Sequence, residues 1–302
     1  MLKVICWGSR GSIPVNGPQF ARHGGSTTCL ELRPQRSGDD TPPRIIIDCG
    51  TGLASLGHQG EAPCREALVL QTHVHWDHIQ GFPFFGPLFD GGARFELWSV
   101  DREHRSLQDV LGDQMKGPCF PVRLADLPAD LSFGRLSPAG RREVGEVQIR
   151  WAEMCHPSGS TAFRVDYRSV SAVFSGDVEV RMGGRDELIE LSDGADLLIM
   201  DAQYFDEEYD QRRGFGHSTP EDAVEVALEA GVKRLWLTHH DPTHGDRRLD
   251  EKLAIARGHA RQLGASELRI ENARDGLEIG LEPMPSRPST GLTSDTSLPA
   301  GP

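Results

Sequence analysis

The sequence lacks the features that would place it in a membrane or in a disulfide-stabilised class. No run of apolar residues approaches about 18, the length that a transmembrane helix needs. None of the six cysteines stands in a C-x-x-C arrangement, and their scatter is typical of free thiols in a reducing compartment. The first residues, Met1–Trp7, enter a strand-like segment without a signal-peptide pattern. We therefore expect a cytoplasmic protein.

Basic residues are also scarce. The 32 Lys and Arg residues against 45 Asp and Glu residues leave a net charge of −13. Proteins that grip long RNA or DNA usually carry a basic patch, because neutralisation of phosphates supplies most of their affinity. The charge therefore argues against a long nucleic acid as partner. A small phosphorylated substrate stays open, since a site for dications can outweigh the net charge locally.

Short apolar runs, rich in β-branched and aromatic residues, recur along the chain and predict strands. They are Val4–Trp7, Ile45–Ile47, Ala67–Leu70, Phe95–Trp98, Val147–Trp151, Ala162–Val165, Ala172–Phe174, Leu197–Met200 and Leu235–Leu237. Helical patterns are fewer and lie at Thr219–Ala230, Asp250–Leu263, Asp186–Leu191 and His104–Leu111. Many strands with a few helices predict an α/β fold of two mixed sheets with helices outside, not a doubly wound parallel sheet.

Two stretches are predicted to lie outside the packed structure. Arg33–Pro43 reads as a polar hairpin tip. Pro283–Pro302 is rich in Pro, Ser, Thr and Gly and is predicted to be a disordered tail. The folded domain is accordingly assigned to residues 1–282.

Metal-ligating residue types are concentrated directly after a predicted strand. His73, His75, Asp77 and His78 fall within six residues. His73 and His75 can point the same way from an extended segment, while Asp77 and His78 lie on the next turn and can face a second ion. Further candidates each follow a predicted strand: His156, Asp177 and His239. Imidazole and carboxylate ligands favour borderline metals such as zinc.

At this point the chain resembles the metallo-β-lactamase superfamily over about residues 1–280, and the turn Asp48–Gly52 is similar to one that supports the ligands of that fold. The resemblance implies an αββα sandwich and two divalent transition metals per chain, zinc or alternatively manganese. It assigns the ligands as follows: His73, His75 and His156 on one metal, Asp77, His78 and His239 on the other, and Asp177 between them. A hydroxide shared by the two metals would attack the substrate, with Asp77 in the catalytic set.

Three segments resemble the phosphodiesterase branch of that superfamily, which includes tRNA 3′-processing endonucleases. Gly216–Thr219 resembles its His-Ser-Thr motif and implies that His217 is a general acid. The alternative is that Ser218 or Thr219 merely caps a helix and His217 lies on the surface. The glycine-containing segments Trp7–Pro14 and Gly24–Cys29 look like others of the branch, and Asp201–Tyr204 looks closest to small phosphodiesterases, including the anti-Pycsar type that opens cyclic nucleotides.

The expected substrate is therefore a small phosphodiester, and a cyclic mononucleotide is the leading candidate. The tRNA-processing enzymes carry an arm that grips tRNA, whereas Phe82–Phe89 after the histidine motif is apolar and lacks Lys and Arg. Substrate contacts are predicted at Ser26, Thr27, Tyr204 and Phe84. The alternative for such aromatics is core packing or a dimer contact, and the resemblance does imply a homodimer, with Phe82–Phe89 as its candidate interface.

Three other functions stay open at this point. The chain could be a tRNA 3′-processing endoribonuclease, a hydrolase of a non-phosphate substrate such as a lactone or thioester, or a metal-binding module without activity. His217 and the segment Asp201–Tyr204 argue against the non-phosphate hydrolase, and the complete ligand set argues against the inactive module.

Overall fold

Two seven-stranded sheets form the centre of the protein. The computed structural model describes residues 1–35, 43–58 and 64–282. The first sheet has the order β14-β1-β2-β3-β4-β5-β6 and consists of β1 (Leu2–Gly8), β2 (Cys29–Pro34), β3 (Arg44–Ile47), β4 (Glu66–Gln71), β5 (Arg94–Val100), β6 (Asp130–Leu136) and β14 (Leu277–Leu281). The second has the order β13-β12-β11-β10-β9-β8-β7 and consists of β7 (Gly140–Val144), β8 (Val147–Met154), β9 (Ser160–Tyr167), β10 (Val170–Phe174), β11 (Leu197–Asp201), β12 (Arg234–Thr238) and β13 (Arg269–Asn272).

Helices cover the outer faces of both sheets. They are α1 (Gly52–His58), α2 (Trp76–Ile79), α3 (Leu107–Gln114), α4 (Arg185–Ser192), α5 (Asp206–Tyr209), α6 (Pro220–Glu229) and α7 (Asp246–Gln262). Short 3₁₀ turns lie at Pro18–Phe20, Phe82–Phe84, Gly86–Phe89 and Leu124–Asp126. Among the residues that the structure describes, none of the helices has the length and apolar character to cross a membrane.

Each sheet is mixed, with its parallel strands grouped at one side. Strands β3 to β6 are parallel, as are β10 to β13, and the remaining pairs are antiparallel. A parallel strand such as β11 reads as a continuous apolar run because both of its faces are covered. One apolar cluster, including Leu68 and Phe163, fills the space between the two sheets. Each sheet also has one further apolar cluster between its outer face and the helices that cover it. The layers are therefore αββα.

The predicted fold, an α/β protein with two mixed sheets flanked by helices, is confirmed. All nine predicted strands are present, but β2, β6, β7, β13 and β14 were not predicted. β7 shows why: Gly140–Val144 is a charged, exposed edge strand without an apolar alternation.

Two helices begin elsewhere than predicted. α3 begins at Leu107, because His104 has a left-handed backbone (φ 63°) and Ser106 caps the helix by accepting a hydrogen bond from the Asp109 N–H. α7 begins at Asp246 rather than at Asp250. Most of the predicted hairpin tip and all of the predicted tail lie outside the described residues, although Arg33 and Pro34 belong to β2.

Candidate metal centre

The candidate ligands converge where strands of both sheets end. His73 follows β4, Asp177 follows β10 and His239 follows β12 directly. His156 comes shortly after β8, which is antiparallel to its neighbours. Strand ends are rigid points, so side chains that follow them can be held in a fixed arrangement.

The first donor group consists of His73, His75 and His156, whose ligand atoms lie within 4.8 Å of one another. His75 Nδ1 is 3.0 Å from His156 Nε2. The rings of His73 and His75 meet edge to face, with centroids 4.6 Å apart. Three imidazoles in this arrangement match the three-histidine sets that bind zinc.

The second donor group consists of Asp77, His78, Asp177 and His239, which are all buried and also lie within 4.8 Å of one another. His239 Nε2 is 3.1 Å from Asp77 Oδ2 and 3.3 Å from His78 Nε2. Asp77 is oriented by the backbone N–H of Ser12, which donates to the same carboxylate oxygen at 2.6 Å.

Asp177 belongs to the second group but faces both. Its Oδ2 is 3.2 Å from His239 Nε2 and 3.5 Å from His73 Nε2. Its other oxygen, Oδ1, is buried and has no hydrogen-bond partner among the described residues, and the same is true of His73 Nε2. Buried polar atoms without a partner are costly, so these two atoms point to a ligand that the protein atoms alone do not supply.

The outward ring nitrogens of the histidines are held by acceptors. The Nδ1–H groups of His78, His156 and His239 donate to Asp48 Oδ2 at 2.7 Å, to Gly216 O at 2.9 Å and to Gln203 Oε1 at 2.8 Å. Each bond leaves the lone pair of Nε2 directed inward. This support of the outer nitrogen is typical of histidines that bind metals.

The buried carboxylates and imidazoles shift one another's pKa values. Burial opposes the charged form of His239, but Asp177 and Asp77 outweigh it and raise the pKa of His239 to about 9. Burial would raise the pKa of Asp77, yet His78 and His239 hold that pKa well below its usual range. Burial lowers the pKa of His156 to about 4, so this imidazole is neutral near pH 7. The donor atoms, their inward lone pairs and the buried carboxylates therefore fit divalent cations.

His217 is buried rather than on the surface, and with Asp177, Asp201 and His239 it forms a third group whose ligand atoms lie within 4.8 Å of one another. Its ring stacks on that of His239 at a centroid distance of 4.7 Å, and its Nδ1 is 2.8 Å from Asp201 Oδ2. Thr219 does cap α6, by accepting a hydrogen bond from the Asp222 N–H, and Ser218 Oγ donates to Val178 O. Capping and a buried His217 thus occur together, which leaves the predicted acid role of His217 open.

The predicted substrate contacts are in different environments. Thr27 is buried, and its backbone N–H donates to Thr51 Oγ1. Tyr204 is buried with its ring against His217 at 5.5 Å. Phe84 is exposed and packs on Phe120. The backbone N–H of Ser26 donates to Asp275. Their roles toward a substrate stay predictions.

Sequence reasoning missed residues that support the centre from other elements. Gln203 holds His239, and Asp201, which ends β11, holds His217. Asp201 offered a signal, because it ends an apolar strand as the other polar site residues follow theirs. Lys252 of α7 offered none. Its side chain is fully buried and its Nζ donates to Ala202 O at 2.5 Å and to Gln203 O at 2.9 Å.

Lys252 provides a test of this support. Burial lowers its pKa to about 7, although Asp241, Asp201 and Glu208 favour its charge. Between that value and the ordinary 10.5, the unfolded chain binds a proton that the folded chain does not. The free energy of unfolding should therefore rise with pH there, by about 1.4 kcal/mol per unit from this group.

We expect the stability difference between wild type and Lys252→Met to grow in favour of wild type from pH 7 to pH 9. Urea unfolding at both pH values measures this stability difference. Subtracting one protein's stability from the other's cancels the pH dependence of the groups that the two proteins share. An equal pH dependence of the two proteins would contradict this account of Lys252.

Comparison with known proteins agrees with the fold. The model of the beta-lactamase superfamily domain matches residues 43–240. A ribonuclease Z of Exiguobacterium sibiricum is 42% identical over 236 residues, covering 64% of this chain and 78% of the relative. A ribonuclease Z of Ignicoccus hospitalis is 35% identical over 246 residues, covering 67% and 80%.

Among solved structures, the metallo-beta-lactamase fold protein YhfI from Bacillus subtilis superposes with a TM-score of 0.66 at 20% identity, covering 92% of this chain and 98% of that one. This likeness supports the αββα architecture, and the family model together with the relatives supplies the family. The chain therefore belongs to the metallo-β-lactamase superfamily and, within it, to the metal-dependent hydrolases of the phosphodiesterase branch.

Proposed function

We propose that the chain hydrolyses a small phosphodiester, first of all a cyclic mononucleotide, with two divalent cations bound. The observation that carries the proposal is the His217–Asp201 pair, which lies against His239 at the edge of two adjacent donor groups. Phosphodiester hydrolysis needs neutralisation of the phosphate charge and a proton donor for the leaving oxygen. A cation site would supply the first, and an imidazole held by a carboxylate would supply the second.

In the proposed assignment the first donor group would hold one cation, Asp77, His78 and His239 the other, and Asp177 would contact both. The imidazole and carboxylate donors favour zinc, with manganese as the alternative. When bound, the cations would neutralise the charge of the phosphate and activate water.

The chain's own residues would deliver the proton. Asp201 Oδ2 accepts a hydrogen bond from His217 Nδ1 and so turns Nε2 of the same ring away from itself. Asp201 is in turn held by the backbone N–H groups of Val178 and Gln203. A protonated His217 would be stabilised by this carboxylate and could donate its Nε2 proton to the leaving oxygen.

The charges near His217 favour a small substrate. Arg181 pairs with Asp206 and Asp222, and Arg212 pairs with Asp241. Arg213 likewise pairs with Asp210. Since these arginines are already neutralised and the net charge is −13, a polyanion would gain little from them.

Cleavage of precursor tRNA is the second candidate, because the curated relatives at 35% and 42% identity are named ribonuclease Z. We expect turnover of a 3′,5′-cyclic mononucleotide to the open monophosphate and little cleavage of precursor tRNA. Purified protein with zinc or manganese, incubated with 2′,3′- and 3′,5′-cyclic nucleotides, a bis-aryl phosphodiester and precursor tRNA, measures this. Efficient tRNA cleavage without hydrolysis of cyclic nucleotides would reverse the ranking.

The metal content is a separate prediction. Seven donor residues in two groups should hold about two equivalents of transition metal per chain, mainly zinc. Elemental analysis of protein never exposed to a chelator gives the value. One equivalent or none would contradict the proposed pair of cations.

A further inference from the structure

One tryptophan of the chain differs from the other four. Trp7, Trp98, Trp151 and Trp236 are all at most 9% exposed, whereas Trp76 is 72% exposed. Trp76 stands between His75 and Asp77, one residue of each donor group. Because its neighbours are held in the centre, the backbone of Trp76 is fixed, and its indole is presented to solvent beside the site.

Phe215 is a second exposed aromatic residue, and hydrogen bonds to a buried carboxylate hold the loop that carries it. The backbone N–H groups of Gly214 and Gly216 both donate to the buried carboxylate of Glu179, each at 2.8 Å. Tyr209 donates its hydroxyl to the same carboxylate at 2.8 Å. Phe215 lies between the two glycines and is 59% exposed. Phe215 is therefore exposed on a loop whose backbone is held by the buried Glu179 carboxylate.

The position of Gly216 adds to this constraint. Its backbone has a φ of +93°, and a Cβ there would lie 2.1 Å from His156 Nδ1. Only glycine fits so close to the ring in this conformation. The loop therefore packs directly against the His156 ring at Gly216, while the neighbouring Phe215 is exposed.

Trp76 and Phe215 adjoin the same part of the site. His75, next to Trp76, has its Nδ1 3.0 Å from His156 Nε2. The opposite nitrogen of His156 is 2.9 Å from the carbonyl of Gly216, next to Phe215. Trp76 and Phe215 are thus the sequence neighbours of the first and last residues in the contact series His75–His156–Gly216. We call these two aromatic residues the aromatic rim.

We propose that the aromatic rim binds a nucleobase of the substrate by stacking, so that Trp76 and Phe215 determine specificity for a nucleotide. This inference rests on the proposed phosphodiesterase function. A neutral flat base suits an apolar rim on an acidic protein, and stacking on an aromatic side chain gives affinity without a basic patch. A second copy of the chain seated on the rim would instead cover the approach to the donor groups.

The test uses two substrates that differ only in the base: the 4-nitrophenyl ester of thymidine 5′-monophosphate and its base-free dideoxyribose analogue. Trp76→Ala and Phe215→Ala should each raise KM for the nucleotide by about tenfold and leave KM for the base-free analogue nearly unchanged. Trp76→Phe should retain most of the wild-type KM.

Phe89→Ala is the matched control, and it should alter neither KM. Phe89 is also exposed, but it precedes Asp90, whose carboxylate pairs with Arg65, the residue before β4. His73 lies beyond the other end of that strand.

Calorimetric titration of the metal-loaded protein gives a readout that does not depend on turnover. Thymidine 5′-monophosphate should bind more weakly to Trp76→Ala and Phe215→Ala than to wild type, whereas 2-deoxyribose 5-phosphate should bind all three alike. Equal losses for both ligands, or none, would overturn the proposal. So would a change of oligomeric state in the variants, seen by sedimentation, since the rim would then be a subunit contact. Wild-type protein that binds the nucleotide through the rim but hydrolyses neither ester would refute the proposed function alone.

Discussion

Replacing Asp177 with alanine is expected to abolish phosphodiester hydrolysis and to release at least one of the two proposed cations. Asp177 Oδ2 lies within 3.5 Å of nitrogen atoms of His73, His78 and His239, and so it contacts both donor groups. Its Oδ1 is buried and has no hydrogen-bond partner within the part of the chain that the structure describes. Among the proposed ligands it is therefore the one whose loss should disturb both cations together.

The expected loss of activity is large because both cations depend on one carboxylate. If the cations together lower the activation barrier by several kcal/mol, their loss should slow hydrolysis by about 10³-fold or more. Elemental analysis and turnover of a bis-aryl phosphodiester should be measured on the same preparations.

Asp166→Ala is the matched control for a lost carboxylate. Asp166 pairs with Arg150 and Arg164 near the end of β9, and it should be dispensable for metal and activity. Full activity or full metal content in Asp177→Ala would show that the bridging assignment is wrong. Loss of metal in both variants would point to a general effect on folding.

The donor residues could be predicted because their signal is local. Three histidines and an aspartate fall within six residues after an apolar strand, and the same strand-then-ligand pattern recurs at Asp177 and His239. The helix at Pro220–Glu229 was equally readable, since Thr219 and Pro220 mark its beginning. In each case the few residues that carry the signal also make the contacts.

The support beneath the centre could not be predicted because its contacts join distant parts of the chain. Lys252 reaches carbonyl groups about fifty positions earlier, and Glu179 binds backbone N–H groups more than thirty positions later. The beginning of α7 was missed for the same reason. Asp246 at its first turn accepts hydrogen bonds from the backbone of Arg22 and His23, which nothing near residue 246 announces.

His217→Ala is expected to keep both cations while slowing hydrolysis of substrates with a poor leaving group. His217 is outside the two proposed ligand sets, and its Nδ1 is engaged with Asp201. An alkoxide leaves slowly unless it is protonated, and a positioned general acid contributes typically about 10²–10⁴-fold. A nitrophenolate leaves without a proton, so its release gains little from an acid.

The decisive measurement is therefore the ratio of two losses in one variant. Turnover of a cyclic nucleotide should fall by about 10²-fold or more in His217→Ala, and turnover of a nitrophenyl phosphodiester should fall far less. His259→Ala serves as the control for a lost imidazole, because His259 pairs with Glu225 on the outer helices. Asp201→Asn should share the direction of the effect, since it removes the charge that stabilises protonated His217. If His217→Ala lost both activities equally, or lost metal, His217 would be a support of the neighbouring His239 ring and the proton would have to come from another group.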